Sequence, residues 1–361
     1  MVSAGRQARD LDAIQNLQFF ICSNVSIQGA GVTLALLAAL VYFQEKLIYV
    51  PRLPGMPAAY QFFPAEFGLE HEDVWLSVPD GVRLHAWFMW LKGLTPEQRR
   101  RRPTVVFFQE NAGNMSYRLH FLGPLADLLQ VNVFILGYRG YGESGGAPSQ
   151  RGFQMDAEVA LQHVAARADV DPAKLVVFGR SIGGAVALHA AAATTVKIAG
   201  LIIENTFTSL EDIVPLKIPF LGFLIGPNRC ANWLLRSRWD NVSAAKHLTG
   251  TPILFLSSLR DEMLPPSQMQ RLYALHGRTP WRMLTFPQAT HMDAYIVARR
   301  EYWPALQAFF YDLFAGQADN RPRGDAPGTQ TGSSGHGVAP DWDSDTSNTP
   351  SDWEAVPRPG E

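Results

Sequence analysis

Two stretches of the chain share the pattern G-x-S-x-G: "GESGG", Gly142 to Gly146, and "GRSIG", Gly179 to Gly183. The pattern does chemistry where a strand turns sharply into a helix. The serine hydroxyl then stands at the apex, and the glycines let backbone pass close to it. By composition alone a chain of this length meets the pattern about one time in ten, so context has to decide. Ser144 sits in "GYRGYGESGGAPS", a glycine-rich loop on which no helix starts. Ser181 follows the apolar run "KLVVFG" and precedes "IGGAVALHAAAA", a helix former of small residues. Ser181 is the expected nucleophile, and Ser144 is expected to be a structural loop serine.

A serine hydroxyl is a weak nucleophile until a base takes its proton. On a strand–turn–helix scaffold of this kind the partners follow in the order serine, acid, histidine. "PILFLSSLRDEMLPP" places Asp261 just past a buried strand, and "FPQATHMDAY" places His291 in the loop before the final helix. His291 would accept the Ser181 proton through one ring nitrogen, while Asp261 holds the other. Asp261 has rivals. Glu262 is adjacent, Glu204 ends the preceding strand, and Asp293 lies too close to His291 to orient it easily.

The elements that must position these residues alternate. From about Val74 to Phe314, apolar strand-like runs exchange with helix-like stretches, the pattern of a mostly parallel βαβ sheet with helices on both faces. "DVWLSV" and "RLHAWFMWL" flank "PDG" and predict an edge hairpin. "TVVFFQ", "NVFILG", "KLVVFG", "AGLIIE", "PILFLS" and "RMLTF" predict buried strands. Helices are expected from about Tyr117, Gly152, Ser181, Ser267 and Asp293. One gap is oversized. It holds "FTSLEDIVPLKIPFLGFLIGPNRCANWLLRSRWDN", and residues 207–247 are expected either to form a short cap over the carboxyl edge or to be a helix with a packed loop.

Outside this core the composition changes. Ala13 to Gln44 carry no charge, and "GAGVTLALLAALVYF" is their most apolar part. That run is shorter than the ~20 residues of a spanning helix, but its flank can extend it. A transmembrane anchor is expected over 28–49, with a cleaved signal peptide or a buried or interfacial helix as the alternatives, behind an N-terminal flank of 1–27 and before a linker of 50–72. A hydrolase-like domain is expected over 73–315. Residues 316–361 are rich in Gly, Ser, Thr, Asp and Pro, and are expected to be a disordered acidic tail. A formal net charge of −2 supplies no field to draw nucleic acid. The two cysteines, Cys22 and Cys230, make no disulfide framework or zinc spacing, and each is expected to act as a small apolar residue. Neither dinucleotide nor P-loop spacing occurs, so no cofactor is expected. Arg99 to Arg102 are expected in a solvated loop. Three glycosylation sequons begin at Asn24, Asn114 and Asn241, the last being the one expected to report on orientation.

"QENAGNMSYRL", "GYRGYGESGGAPSQRGFQMDAE", "FGRSIGGAVALHAA", "IENTFTSL", "LRDEMLPPSQMQRLY" and "THMDAY" carry a further observation. Together they resemble the family of α/β-hydrolase domain-containing protein thirteen and its fungal bud-emergence (BEM) relatives. The resemblance implies an α/β-hydrolase fold, a single-pass membrane protein of the endoplasmic reticulum or another endomembrane, and the Ser181, Asp261 and His291 roles already argued. Relatives usually have His-Gly-Asn-Ala-Gly-Asn where this chain has Gln109-Glu110-Asn111-Ala112-Gly113-Asn114. An oxyanion hole needs N–H donors aimed at the developing charge, and these are expected from the backbone of Ile182 and of Asn111. Glu110 raises the question of whether that hole works, since glycine could have been chosen there for its backbone angles. Two functions are expected to compete. One is a membrane-anchored serine hydrolase acting on a small-molecule or acylated-protein ester or thioester. The other is a catalytically silent scaffold at the bilayer.

Overall fold

In the computed structural model, residues 35–318 are described, apart from 36, 54, 249 and 276–280. Each predicted apolar run forms a strand. β1 (Leu69–Ser77) and β2 (Arg83–Leu91) form the expected antiparallel hairpin, with Leu76 opposite Leu84. Gly81 closes its turn at φ 83°, where only glycine is at ease. The remaining strands are β3 (Thr104–Phe108), β4 (Asn132–Leu136), β5 (Leu175–Arg180), β6 (Gly200–Glu204), β7 (Ile253–Ser258) and β8 (Trp281–Phe286). They join in the order β1-β2-β4-β3-β5-β6-β7-β8. From β4 to β8 every pairing is parallel. The central strands β3, β5 and β6 are buried end to end, which is why their sequences are apolar without alternation.

The helices are α1 (37–48), α2 (Pro96–Arg101), α3 (Leu119–Leu129), α4 (Gln150–Ala166), α5 (Ile182–Ala193), α6 (Leu210–Lys217), α7 (Asn241–Lys246), α8 (Ser267–Tyr273), α9 (Ala294–Val297) and α10 (Arg299–Ala318). They cover both faces of the sheet and divide the core in two. One layer packs Val177 and Ile203 against Phe153 of α4 and Ala185 of α5. The other packs Phe107, Phe178 and Ile202 with Leu122 of α3 and Leu306 of α10. Successive residues of β5 thus serve opposite layers, as the pleat requires.

Residues between β6 and β7 fold as α6, two 3₁₀ turns (Pro219–Phe223 and Cys230–Leu234) and α7. The ends of this insertion are buried, but Phe220, Phe223 and Trp233 are exposed. Cys230 is free and exposed. The arginine run lies mostly in the short helix α2 rather than in a loop, with Arg100 and Arg101 exposed as expected. Arg99 lies over the Trp90 ring and pairs with Asp169, and Arg100 donates to the carbonyls of Ala168 and Val170.

Among the described residues no helix is long and apolar enough to cross a membrane. Residues 28–34 and 36 of the expected anchor lie outside the described residues, and α1 is its carboxyl part. The stretch after α1 is bound to the domain rather than loose. Val50 bridges Ala112 in parallel, Tyr60 Oη lies 2.7 Å from His85 Nδ1, and β1 begins at Leu69, earlier than expected. The helix α10 runs to Ala318, and residues 319–361 lie outside the described residues.

Asn241 is fully buried, and its side-chain amide donates to the Phe207 carbonyl at 2.8 Å. A glycan has no room there in the folded protein. Peptide mass spectrometry of full-length chain made in a glycosylating host is expected to find Asn241 unmodified, and occupancy of that site would contradict this packing.

Candidate active site

Ser181 joins β5 to α5 at φ 57°, ψ −124°, a sparsely populated conformation that costs about 1–3 kcal/mol. Its surroundings impose the angle. The Ser181 N–H donates to the Glu204 carbonyl at 2.9 Å, and its own carbonyl accepts from Thr206 Oγ1 at 2.7 Å and from the Gly184 N–H at 3.0 Å. A Cβ built on Gly179 would lie 2.2 Å from the Gly183 carbonyl oxygen, and one on Gly183 would lie 1.9 Å from that of Phe108. The flanking glycines therefore let the start of α5 press against the end of β3. Ser144 has other work. Its hydroxyl donates to the Gly137 carbonyl and accepts from the His85 N–H.

Asp261 and His291 are brought together. Asp261 Oδ2 lies 2.7 Å from His291 Nδ1, with both side chains buried. The other carboxylate oxygen accepts the N–H groups of Met263 and Leu264 at 2.8 and 2.7 Å. A carboxylate facing Nδ1 favours the proton there and leaves Nε2 free to act as base. The two loops are stapled by main-chain bonds from Leu259 to Phe286 and from Arg260 to Ala289. Each rival of Asp261 is committed elsewhere. Glu262 accepts the His291 N–H, Asp293 accepts the Thr290 N–H, and Glu204 is paired with Arg180. Asn205, which the sequence analysis missed, donates to the His291 carbonyl at 2.9 Å and pins the loop to Ser258. Among the described residues no hydrogen bond joins Ser181 to His291. The structure brings Asp261 and His291 into contact and holds Ser181 at the same carboxyl edge of the sheet, on a strand flanked by β3 and β6.

The Ile182 N–H stands at the first position of α5, where it has no intrahelical acceptor. The Asn111 N–H has no acceptor among the described residues. Its side-chain amide donates to the Ile48 carbonyl at 2.6 Å, and its oxygen accepts from the Val50 N–H and the Tyr141 hydroxyl. Glu110 does not point into solvent. It is buried, and its φ is not positive, so the position makes no demand for glycine. Arg180 donates to Glu110 Oε1 at 3.0 Å, and Arg118 Nε lies 2.8 Å from Oε2 without hydrogen-bond alignment. Arg180 also donates to Glu204 at 2.8 Å, and its guanidinium lies over the Phe121 ring. Tyr302 closes the cluster by donating to Glu204. Two cations thus balance two carboxylates, and the Glu110 charge is spent on the α3 and α10 side of the sheet.

Burial pushes the Glu110 carboxyl up, but Arg118 and Arg180 outweigh it and hold it below its ordinary 4.5. A group whose folded pKa is depressed stabilises above its unfolded pKa, and that stabilisation is lost as pH falls through the folded value. Glu110→Gln leaves buried guanidinium charge uncompensated and is expected to cost roughly 3 kcal/mol at pH 7. Glu110→Gly should destabilise likewise, rather than restore a better loop. In urea unfolding the gap between the parent and Glu110→Gln should be widest at neutral pH and narrow below about 4.5.

The family model described as serine aminopeptidase, S33 (Hydrolase_4) matches residues 120–235. The alpha/beta hydrolase domain-containing protein WAV2 of Arabidopsis thaliana is 45% identical over 280 residues, covering 76% of this chain and 89% of that protein. Protein bem46 of Schizosaccharomyces pombe is 38% identical over 275 residues, with the same shares covered. An uncharacterized membrane protein of Saccharomyces cerevisiae is 30% identical over 283 residues, covering 78% and 94%. In three dimensions an esterase of Pyrococcus furiosus superposes with a TM-score of 0.56 at 16% identity, over 73% of this chain and 98% of that one, a likeness of fold. On these relatives, and on the eight-stranded sheet with its serine turn, the chain belongs to the α/β-hydrolase domain-containing family of WAV2 and bem46 and has the α/β-hydrolase fold.

Proposed function

We propose that this chain is a membrane-anchored serine hydrolase that cleaves an ester or thioester through an acyl-serine intermediate. The observation that carries the reading is the buried Asp261–His291 pair at the carboxyl edge where the strained Ser181 turn also ends. In this reading His291 Nε2 takes the Ser181 proton as Oγ attacks the acyl carbon. Asp261 holds Nδ1–H and stabilises the imidazolium. The N–H groups of Ile182 and Asn111 receive the oxyanion, and the imidazolium returns its proton to the leaving alcohol or thiol. Water, activated by His291, then releases the acid and frees Ser181. Every proton is handled by these side chains.

Neutralisation of Glu110 by Arg118 and Arg180 supports a working hole, because a paired carboxylate repels a developing oxyanion far less than a free one. The uncharged stretch Ala13 to Gln44 supports an anchor, as does the membrane assignment in the name of the yeast relative. Location at the endoplasmic reticulum or another endomembrane belongs to the same proposal.

A fluorophosphonate probe tests it on the full-length protein. The parent chain is expected to be labelled and Ser181→Ala to be blank. Asp261→Asn should keep its fold and lose about 10⁴-fold in kcat on any ester the parent hydrolyses, since the base is left with the wrong tautomer. A folded parent that takes no label favours the silent scaffold. Label that persists in Ser181→Ala means another nucleophile.

A further inference from the structure

Between α1 and the insertion runs a trough of about 740 Å³. Leu40, Phe43 and Leu47 of α1 form one wall, and Phe220, Leu221 and Leu224 of the insertion form the other. No polar or charged side chain lines it. The volume is that of a small-molecule site, yet nothing in it could orient a polar ligand. Phe43, Leu47 and Phe220 are exposed, although soluble surfaces rarely keep such a patch contiguous.

We propose that this trough holds the acyl chain of the substrate, an inference that rests on the hydrolase reading above. Two observations select an alkyl chain over other occupants. The first is chemical. A peptide or a headgroup laid in the trough would leave its polar groups without partners, whereas an alkyl chain has none to satisfy. The second is continuity with the site. The α1 wall ends at Ile48, whose carbonyl accepts the Asn111 amide, and Val50 then bridges Ala112. That wall therefore runs into the loop assigned to the oxyanion. The insertion wall begins just after Lys217, whose Nζ reaches the Glu262 carbonyl beside Asp261 at 3.4 Å. Both walls are thus tied to loops that flank the acyl-transfer centre. From Leu37 to Leu47 α1 rises about 15 Å, a length that suits a long chain rather than an acetyl group. Its amino end continues into the uncharged stretch expected to enter the bilayer, so the far mouth lies toward the source of such chains.

Hydrolysis of p-nitrophenyl butyrate and p-nitrophenyl palmitate by full-length protein in nanodiscs, which avoids detergent in the trough, tests this. Leu40→Trp and Leu224→Trp fill the trough from opposite walls. Each methylene withdrawn from water is worth roughly fourfold in kcat/KM. The two variants are therefore expected to lose at least about tenfold on palmitate and to stay within about twofold on butyrate. Unchanged palmitate turnover overturns the proposal, including the case in which the trough holds only bilayer lipid. An equal loss on both esters also overturns it. Binding of a pyrene-labelled fatty acid to Ser181→Ala gives a readout free of catalysis. Leu40→Trp in that background should abolish binding, and retained binding overturns the trough. A parent chain that hydrolyses neither ester and takes no fluorophosphonate, yet binds the fatty acid in a Leu40-dependent way, refutes the hydrolase reading and keeps the site.

Discussion

The close approach of Gly183 to the end of β3 is the contact on which the site depends. It sets the amino end of α5 against the Phe108 and Gln109 carbonyls, with no room for a methyl group. With that contact made, Ser181 has to adopt its strained angles, because β5 is held by β3 on one side and β6 on the other. The strain is stored where two strands and a helix over-determine the backbone, which is the condition under which such a conformation persists.

A second constraint is electrostatic. Arg180 precedes Ser181 and, by the alternation of β5, projects into the layer of α3 and α10. An unpaired guanidinium there would be prohibitively costly, so the layer carries Glu204 and Glu110 with Tyr302. Two carboxylates on one arginine would be one charge in excess, and Arg118 restores the balance. Glu110 is therefore better understood as a member of this cluster than as an altered oxyanion residue. Its side chain runs into the buried cluster with Arg118 and Arg180, and its φ is not positive.

Much of this was legible in the residues. Strands buried on both faces announce themselves as unbroken apolar runs, and the serine turn carries its own glycine signature. Asp261 and His291 follow from chain order. The cluster around Arg180 was not legible, because it depends on register. Arg180 and Glu204 become partners only once β5 and β6 are aligned with those residues opposite each other. Glu110, Arg118 and Tyr302 reach the cluster from three other elements. Asn205 was missed for a similar reason. Its role is set by its positive φ and by bonds to Ser258 and His291, both far away in sequence. The insertion defied simple reading because prolines and apolar residues alternate without a period, and its ends and its middle meet different environments.

The amino-terminal arm shows why domain boundaries drawn from composition fall short. Compositionally, the anchor ends and a linker begins near Val50. Physically, the two are one brace. Gln44 donates to the Leu234 carbonyl and accepts from the Arg236 N–H, so α1 is fixed to the insertion. Tyr49 lies within hydrogen-bond distance of Ser237 and accepts from the Trp239 indole, burying the next turn of the arm. Asn111 then spends both acceptor positions of its side-chain oxygen on Val50 and Tyr141 and donates to Ile48. That expenditure has a chemical consequence. An asparagine so held cannot fold its own oxygen back onto its N–H, and the backbone donor stays available at the loop. The segment that composition assigns to anchor and linker is thus the one that fixes the Asn111 loop, and the folded domain is complete only with it.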